Sequence, residues 1–108
     1  MRRGELYRVH EPTGDTKEYR VFVIVSRQAR IDSRYATLIC APVDTNETDL
    51  STQVSVGPDE GLKHASWIVC DNLASMLKSS LTHYVGSLSR HKLVELDRAL
   101  RMALDISW

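Results

Sequence analysis

The side chains in this chain best suited to chemistry lie at the ends of apolar runs. His10 and Glu11 follow the first run, Arg20 opens the second, and Asp44, Thr45 and Asn46 follow the third. Together they offer a fixed cation, proton acceptors, a hydroxyl donor and an imidazole that titrates near neutral pH. Metal-free cleavage of RNA calls for such a set. A base takes the ribose hydroxyl proton, a cation holds the phosphate as charge builds, and an acid protonates the leaving oxygen. Arg20 suits the cation, because a guanidinium is permanently charged and can bond two phosphate oxygens. Asp44 is a candidate base, Thr45 a candidate hydrogen-bond donor, and His10 a candidate acid or base. Loop Asp, Thr and Asn more often form turns, and an arginine beside a strand is often a surface ion pair of small worth. Position must therefore decide.

Other chemistry finds less support. His64 lies in a polar loop, His83 at a strand start and His91 in the first turn of a helix, at spacings that match no metal motif. Cys40 and Cys70 each sit inside an apolar run, where a thiol behaves as a small buried hydrophobe. Two lone cysteines make no zinc site. No cofactor motif occurs. Tyr7, Tyr19 and Tyr35 fall near a basic segment and are candidates for stacking on bases, although core packing is the commoner use. Trp108 is a candidate lid anchor or exposed contact.

Charge is balanced overall, with 14 basic and 14 acidic residues, so bulk electrostatics announce no polyanion partner. Its distribution is uneven. The first 35 residues hold eight Lys/Arg against five Asp/Glu, whereas residues 36–72 hold one against six. The basic excess thus surrounds Arg20.

Short strands must position these groups. The runs Gly4 to His10, Arg20 to Ser26, Ala36 to Val43, Thr52 to Val56, Trp67 to Cys70 and Thr82 to Gly86 read as six strands. Pro42 and the polar stretch Asp44-Thr45-Asn46-Glu47-Thr48-Asp49 are expected to stop the third, and the Gly57-Pro58-Asp59-Glu60-Gly61 stretch to form a turn. Leu93, Leu96, Leu100, Ala103 and Leu104 then recur at helical spacing, behind Ser89 as N-cap. A chain of 108 residues is one domain by size, spanning 1–108. Many short strands followed by one helix suggest a strongly curved sheet or barrel with a helical lid. No stretch reads as a signal peptide or reaches the length of a membrane span, which makes the cytoplasm the default.

The order of these segments resembles that of the MazF/PemK toxins, endoribonucleases of bacterial type II toxin–antitoxin pairs. The resemblance rests on Arg3-Gly4-Glu5-Leu6-Tyr7, the Arg20-to-Ser26 strand, Ala41-Pro42-Val43 before a polar loop, Cys70-Asp71-Asn72, and the helix Leu93 to Leu104. It implies an α+β, mainly β fold: a small SH3-like (CcdB/MazF-type) barrel of short strands with a C-terminal helix. It also implies a homodimer that cuts single-stranded RNA at short sequences, without metal or cofactor, leaving a cyclic phosphate and a 5′ hydroxyl. A cognate MazE-like antitoxin would neutralise it. Arg20 falls at the family's catalytic arginine, and Asp44 or Thr45 at its catalytic threonine. The RNA-facing positions are then His10, Lys17, Tyr19, Arg27, Asn46 and Asn72.

The chain also departs from the family pattern. Val21 stands where a proline usually follows the arginine, Asp44 where the threonine is expected, and Ala74 where a second basic residue is common. These departures admit a catalytically weak, antitoxin-binding regulator as an alternative. The terminal Ile106-Ser107-Trp108 admits a CcdB-like gyrase poison, since that family shares the barrel and has essential C-terminal residues.

Overall fold

The computed structural model describes residues 1–10 and 19–107; Glu11, Lys17 and Trp108 lie outside the described residues. The described chain forms seven strands and two α-helices. The strands are β1 (Glu5–His10), β2 (Tyr19–Ile24), β3 (Thr37–Asp44), β4 (Gln53–Val56), β5 (Ser66–Val69), β6 (Ala74–Leu77) and β7 (His83–Ser87); the helices are α1 (Gln28–Ile31) and α2 (Arg90–Ala103). The strands pair antiparallel in the order β4-β5-β3-β2-β1-β7, with β6 also on β3. The result is a curled, half-barrel sheet with one C-terminal helix.

Strand alternation explains how this sheet carries apolar clusters on both faces. In β2, Val21 and Val23 face one way, whereas Phe22 and Ile24 face the other. The first cluster gathers Leu6, Val23, Ala41, Val54, Ile68 and Leu88 beneath Leu96 and Ala99 of α2. The second gathers Tyr7, Val9, Phe22, Ile24, Leu38 and Cys40, and is covered by Ile31 of α1 and by Leu81. Near-continuous apolar runs such as Val21 to Val25 are what a strand buried on both faces requires.

Ser89 caps α2 as its sequence suggests, its Oγ accepting from the Lys92 N–H at 3.1 Å. Leu96 and Ala99 are fully buried, while Val94 on the opposite face is exposed. The helix therefore presents one apolar stripe to the sheet. Gly86 lies so close to the Glu60 carbonyl that any Cβ there would collide with it, which locks β7 against the turn at Pro58–Glu60.

Two local expectations are corrected. Pro42 does not stop β3, which runs on to Asp44 with Pro42 opposite Phe22. On its other edge β3 pairs with β6 through Cys40 and with β5 from Val43, so Pro42 falls in the gap between them. No ladder donor is needed there. Ala74–Leu77 adds a seventh strand to the six expected.

Candidate active site

Arg20, Asp44 and Thr45 come from different parts of the sequence and line one cleft of about 780 Å3. Strands β2 and β3 bring them there. Phe22 pairs with Pro42 at the end of the β2–β3 ladder, and Arg20 and Asp44 each lie two residues beyond that pair, toward the same end of the sheet. Alternation then puts the Arg20 and Asp44 side chains on the face shared by Phe22 and Pro42. The Arg20 guanidinium indeed lies over the Phe22 ring, 5.4 Å from its centroid. The Asp44 carboxylate accepts the Thr45 N–H through Oδ1 at 2.7 Å, which ties the two side chains into one turn. Arg20, Asp44 and Thr45 are all exposed to solvent.

The cleft is also lined by groups that sequence reasoning passed over. Arg8 lines it from β1, and Lys63 and His64 line it from the segment between the Pro58–Glu60 turn and β5. His64 reads in sequence as a solvated loop residue, and nothing local marks it otherwise. Arg8 was legible in principle, since alternation in β1 sets it on one face with His10. Tyr19, Val21, Leu62 and Val85 also line it. Three cations, Arg8, Arg20 and Lys63, thus line one concave surface with an exposed tyrosine, Arg8 and Arg20 issuing from opposite faces of the β1–β2 pair. A phosphodiester chain fits such a surface, with charge for the backbone and an aromatic face for a base.

The remaining sequence candidates are dispersed. His10 ends β1 beside Tyr19, the ring centroids 5.4 Å apart, and does not line the cleft. Arg27 lines a second, smaller cleft of about 410 Å3 with Arg30 and Ser75. The Asn46 carbonyl accepts from Gln53 Nε2 at 3.1 Å, which holds the polar loop after β3 to the start of β4. Asn72 ends the short turn at Cys70–Asn72 and is exposed outside the cleft. Lys17 lies outside the described residues.

Among the described residues, no three His, Cys, Asp or Glu side chains gather in a way that could hold a metal ion. Cys40 and Cys70 are buried free thiols. Burial pushes the Cys40 thiol up to about 12 and the Cys70 thiol up to about 11, the latter with help from the Asp71 charge. Neither is a nucleophile near neutral pH. No helix among the described residues is long and apolar enough to cross a membrane.

Residues 2–104 match the model of a protein family described as the PemK-like, MazF-like toxin of type II toxin–antitoxin systems. The chain is 33% identical to a "Probable endoribonuclease MazF" of Mycolicibacterium smegmatis, over 99% of both chains. It is 26% identical to the "Endoribonuclease MazF1" of Mycobacterium bovis, over 98% of this chain and 94% of that one. Among solved structures, a mycobacterial endoribonuclease in complex with its cognate antitoxin superposes with a TM-score of 0.82. That match has 26% identity and covers 98% of this chain and 96% of the other.

Proposed function

This chain belongs to the PemK-like, MazF-like toxin family of type II toxin–antitoxin systems, and on that premise we propose that Arg20, Asp44, Thr45 and His64 cleave single-stranded RNA in the cleft. The protein is a MazF-type toxin endoribonuclease. The observation that carries the site assignment is that Arg20, Asp44 and Thr45 line one concave surface.

The chemistry follows from what each group can do. Asp44 takes the proton of a ribose 2′ hydroxyl, and the freed oxygen attacks the adjacent phosphorus. Arg20 bonds the non-bridging oxygens as their charge grows, with the Thr45 hydroxyl as a further donor. His64, the one described histidine lining the cleft, protonates the 5′ oxygen as its bond to phosphorus breaks. One P–O bond forms and one breaks, leaving a cyclic phosphate and a 5′ hydroxyl. No step calls for a metal or a cofactor.

The protein acts as a homodimer in the cytoplasm, and a MazE-like antitoxin silences it by laying an acidic segment on the cationic cleft. The solved complex of the mycobacterial relative with its antitoxin supports the partner. The gyrase-poison and inactive-regulator alternatives gain no support, because the curated relatives are named endoribonucleases.

The test is to incubate RNA of known sequence with purified protein and a chelator, then map the new 5′ ends. Cuts at a short recurring sequence, with 5′ hydroxyl termini, are expected. Intact RNA, or cutting that the chelator abolishes, would overturn the reading.

A further inference from the structure

We propose that Gln53 is a positioning residue of this enzyme, its buried amide holding the chain after β3 so that Thr45 is fixed in the cleft. The inference rests on the ribonuclease reading above and concerns a side chain that does not itself line the cleft.

The topology sets the problem. Asp44, the last residue of β3, pairs with Trp67 of β5, and Gln53, the first of β4, pairs with Val69. Both ladders are antiparallel, so β3 and β4 run in the same direction on either side of β5. Residues 45–52 must therefore turn back along β5. Connections between parallel strands usually take about a dozen residues or more. This shorter one is exposed to solvent from Asp44 to Leu50, and an exposed polar segment has little burial to hold it.

Gln53 supplies what burial does not. It is only 3% exposed. Its Oε1 accepts the Thr48 N–H at 2.9 Å and the Asp49 N–H at 3.1 Å, and its Nε2 donates to the Asn46 carbonyl at 3.1 Å. One amide thus grips the backbone at Asn46, Thr48 and Asp49. The far half of the connection is tied separately. The Ser51 N–H and hydroxyl both donate to Asp49 Oδ1, and Thr52 Oγ1 donates to Asp71 Oδ2 at 2.7 Å.

Thr45 then lies between two fixed neighbours. Asp44 is paired in the sheet and accepts the Thr45 N–H at 2.7 Å, while Asn46 is held by Gln53. Fixing the backbone on both sides of Thr45 leaves its hydroxyl few directions, so it meets the phosphate already oriented. An amide suits this task because it must accept and donate at once. Methionine matches its shape without its carbonyl or its donor, and an ionised carboxylate only accepts.

The experiment measures kcat and KM on one RNA, with chelator present, for the wild type, Thr45→Ala, Gln53→Met and Gln53→Glu, and for each Gln53 change combined with Thr45→Ala. Urea melts give the folded fraction by which each rate is normalised. Gln53→Met should lower kcat about tenfold, the loss expected from one missing neutral donor, with KM within about twofold. Its combination with Thr45→Ala should stay near that tenfold loss rather than reach about 100-fold, because the Thr45 contribution is already gone. Gln53→Glu at pH 8 should behave the same way, since its carboxylate takes both N–H groups but has no donor for Asn46. It decides the matter if Gln53→Met does not fold. Wild-type kcat in a folded Gln53 variant, or losses that multiply in the combined variant, overturns the positioning role and leaves the ribonuclease reading standing. A wild type that cuts no RNA overturns both.

Discussion

The Arg20 guanidinium rests on the Phe22 ring, 5.4 Å from its centroid, and Phe22 is only 4% exposed. A buried ring thus serves as a fixed floor for an exposed cation, two residues away on the same face of β2. A cation–π contact at such an exposed site is worth about 0.5–1 kcal/mol and helps to hold the Arg20 guanidinium in place. Phe22→Leu keeps an apolar side chain but removes the aromatic face. Single-turnover cleavage should fall about two- to fivefold, as expected for losing about 0.5–1 kcal/mol of positioning. A rate equal to the wild type in a folded variant would show that the ring does not orient Arg20.

Asp44 ends β3, lines the cleft with Arg20 and accepts the Thr45 backbone N–H. Asp44→Asn preserves that hydrogen bond but cannot take a proton. Its kcat should fall about 100-fold or more, the usual worth of a positioned base, with little change in KM. Thr45→Ala removes one neutral donor and should cost about tenfold. A larger loss for Thr45→Ala than for Asp44→Asn would reverse the two roles.

Ser89 supplies the cap of α2 and does not line the cleft. Ser89→Ala leaves the Lys92 N–H without its side-chain partner and should cost about 1 kcal/mol in urea unfolding. Cleavage at 25 °C should not change. Loss of activity without loss of stability would mean that the helix terminus takes part in the reaction.

The buried thiols give a pH dependence with a definite sign. Burial holds Cys40 at about 12 and Cys70 at about 11, against 9.0 for an unperturbed thiol. Below pH 9 both the folded and unfolded chains keep these protons, and the thiols add no slope. Above it the unfolded chain releases protons that the folded chain retains, so stability should fall as pH rises from 9 toward 11 and 12. Tyr7, raised by burial and by its bond to Glu5 to about 12 from 10.0, pulls the same way. Urea melts at pH 8 and pH 10.5 should show the loss, and Cys40→Ala Cys70→Ala should flatten it. Both thiols should also resist a thiol reagent at pH 7 until the chain unfolds.

Much of this fold is legible in the sequence, because its longest elements have strong patterns. Val21 to Val25 can only be a strand with two apolar faces, and the Leu93-to-Leu104 spacing with Ser89 ahead of it marks α2. Short elements carry too little signal. The four residues of β6 mix Ala, Ser, Met and Leu, with only partial burial, and α1 is a single turn. Pro42 misleads because a lone proline reads as a stop, while the gap between β6 and β5 along β3 is a tertiary fact. The site divides in the same way. Arg20, Asp44 and Thr45 are found from strand ends and family order. Lys63 and His64 reach the cleft only through the folding of the segment before β5, which no local pattern encodes.

The central claim is that the Arg20 guanidinium carries the phosphate through the reaction. Its most direct measurement is the single-turnover cleavage rate of one defined RNA, with chelator present, for the wild type, Arg20→Lys and Arg20→Ala at equal folded fraction. The account predicts a loss of about 100- to 1,000-fold for Arg20→Ala, the worth of one transition-state donor, with Arg20→Lys in between. Folded Arg20→Ala protein that cuts at the wild-type rate would contradict it.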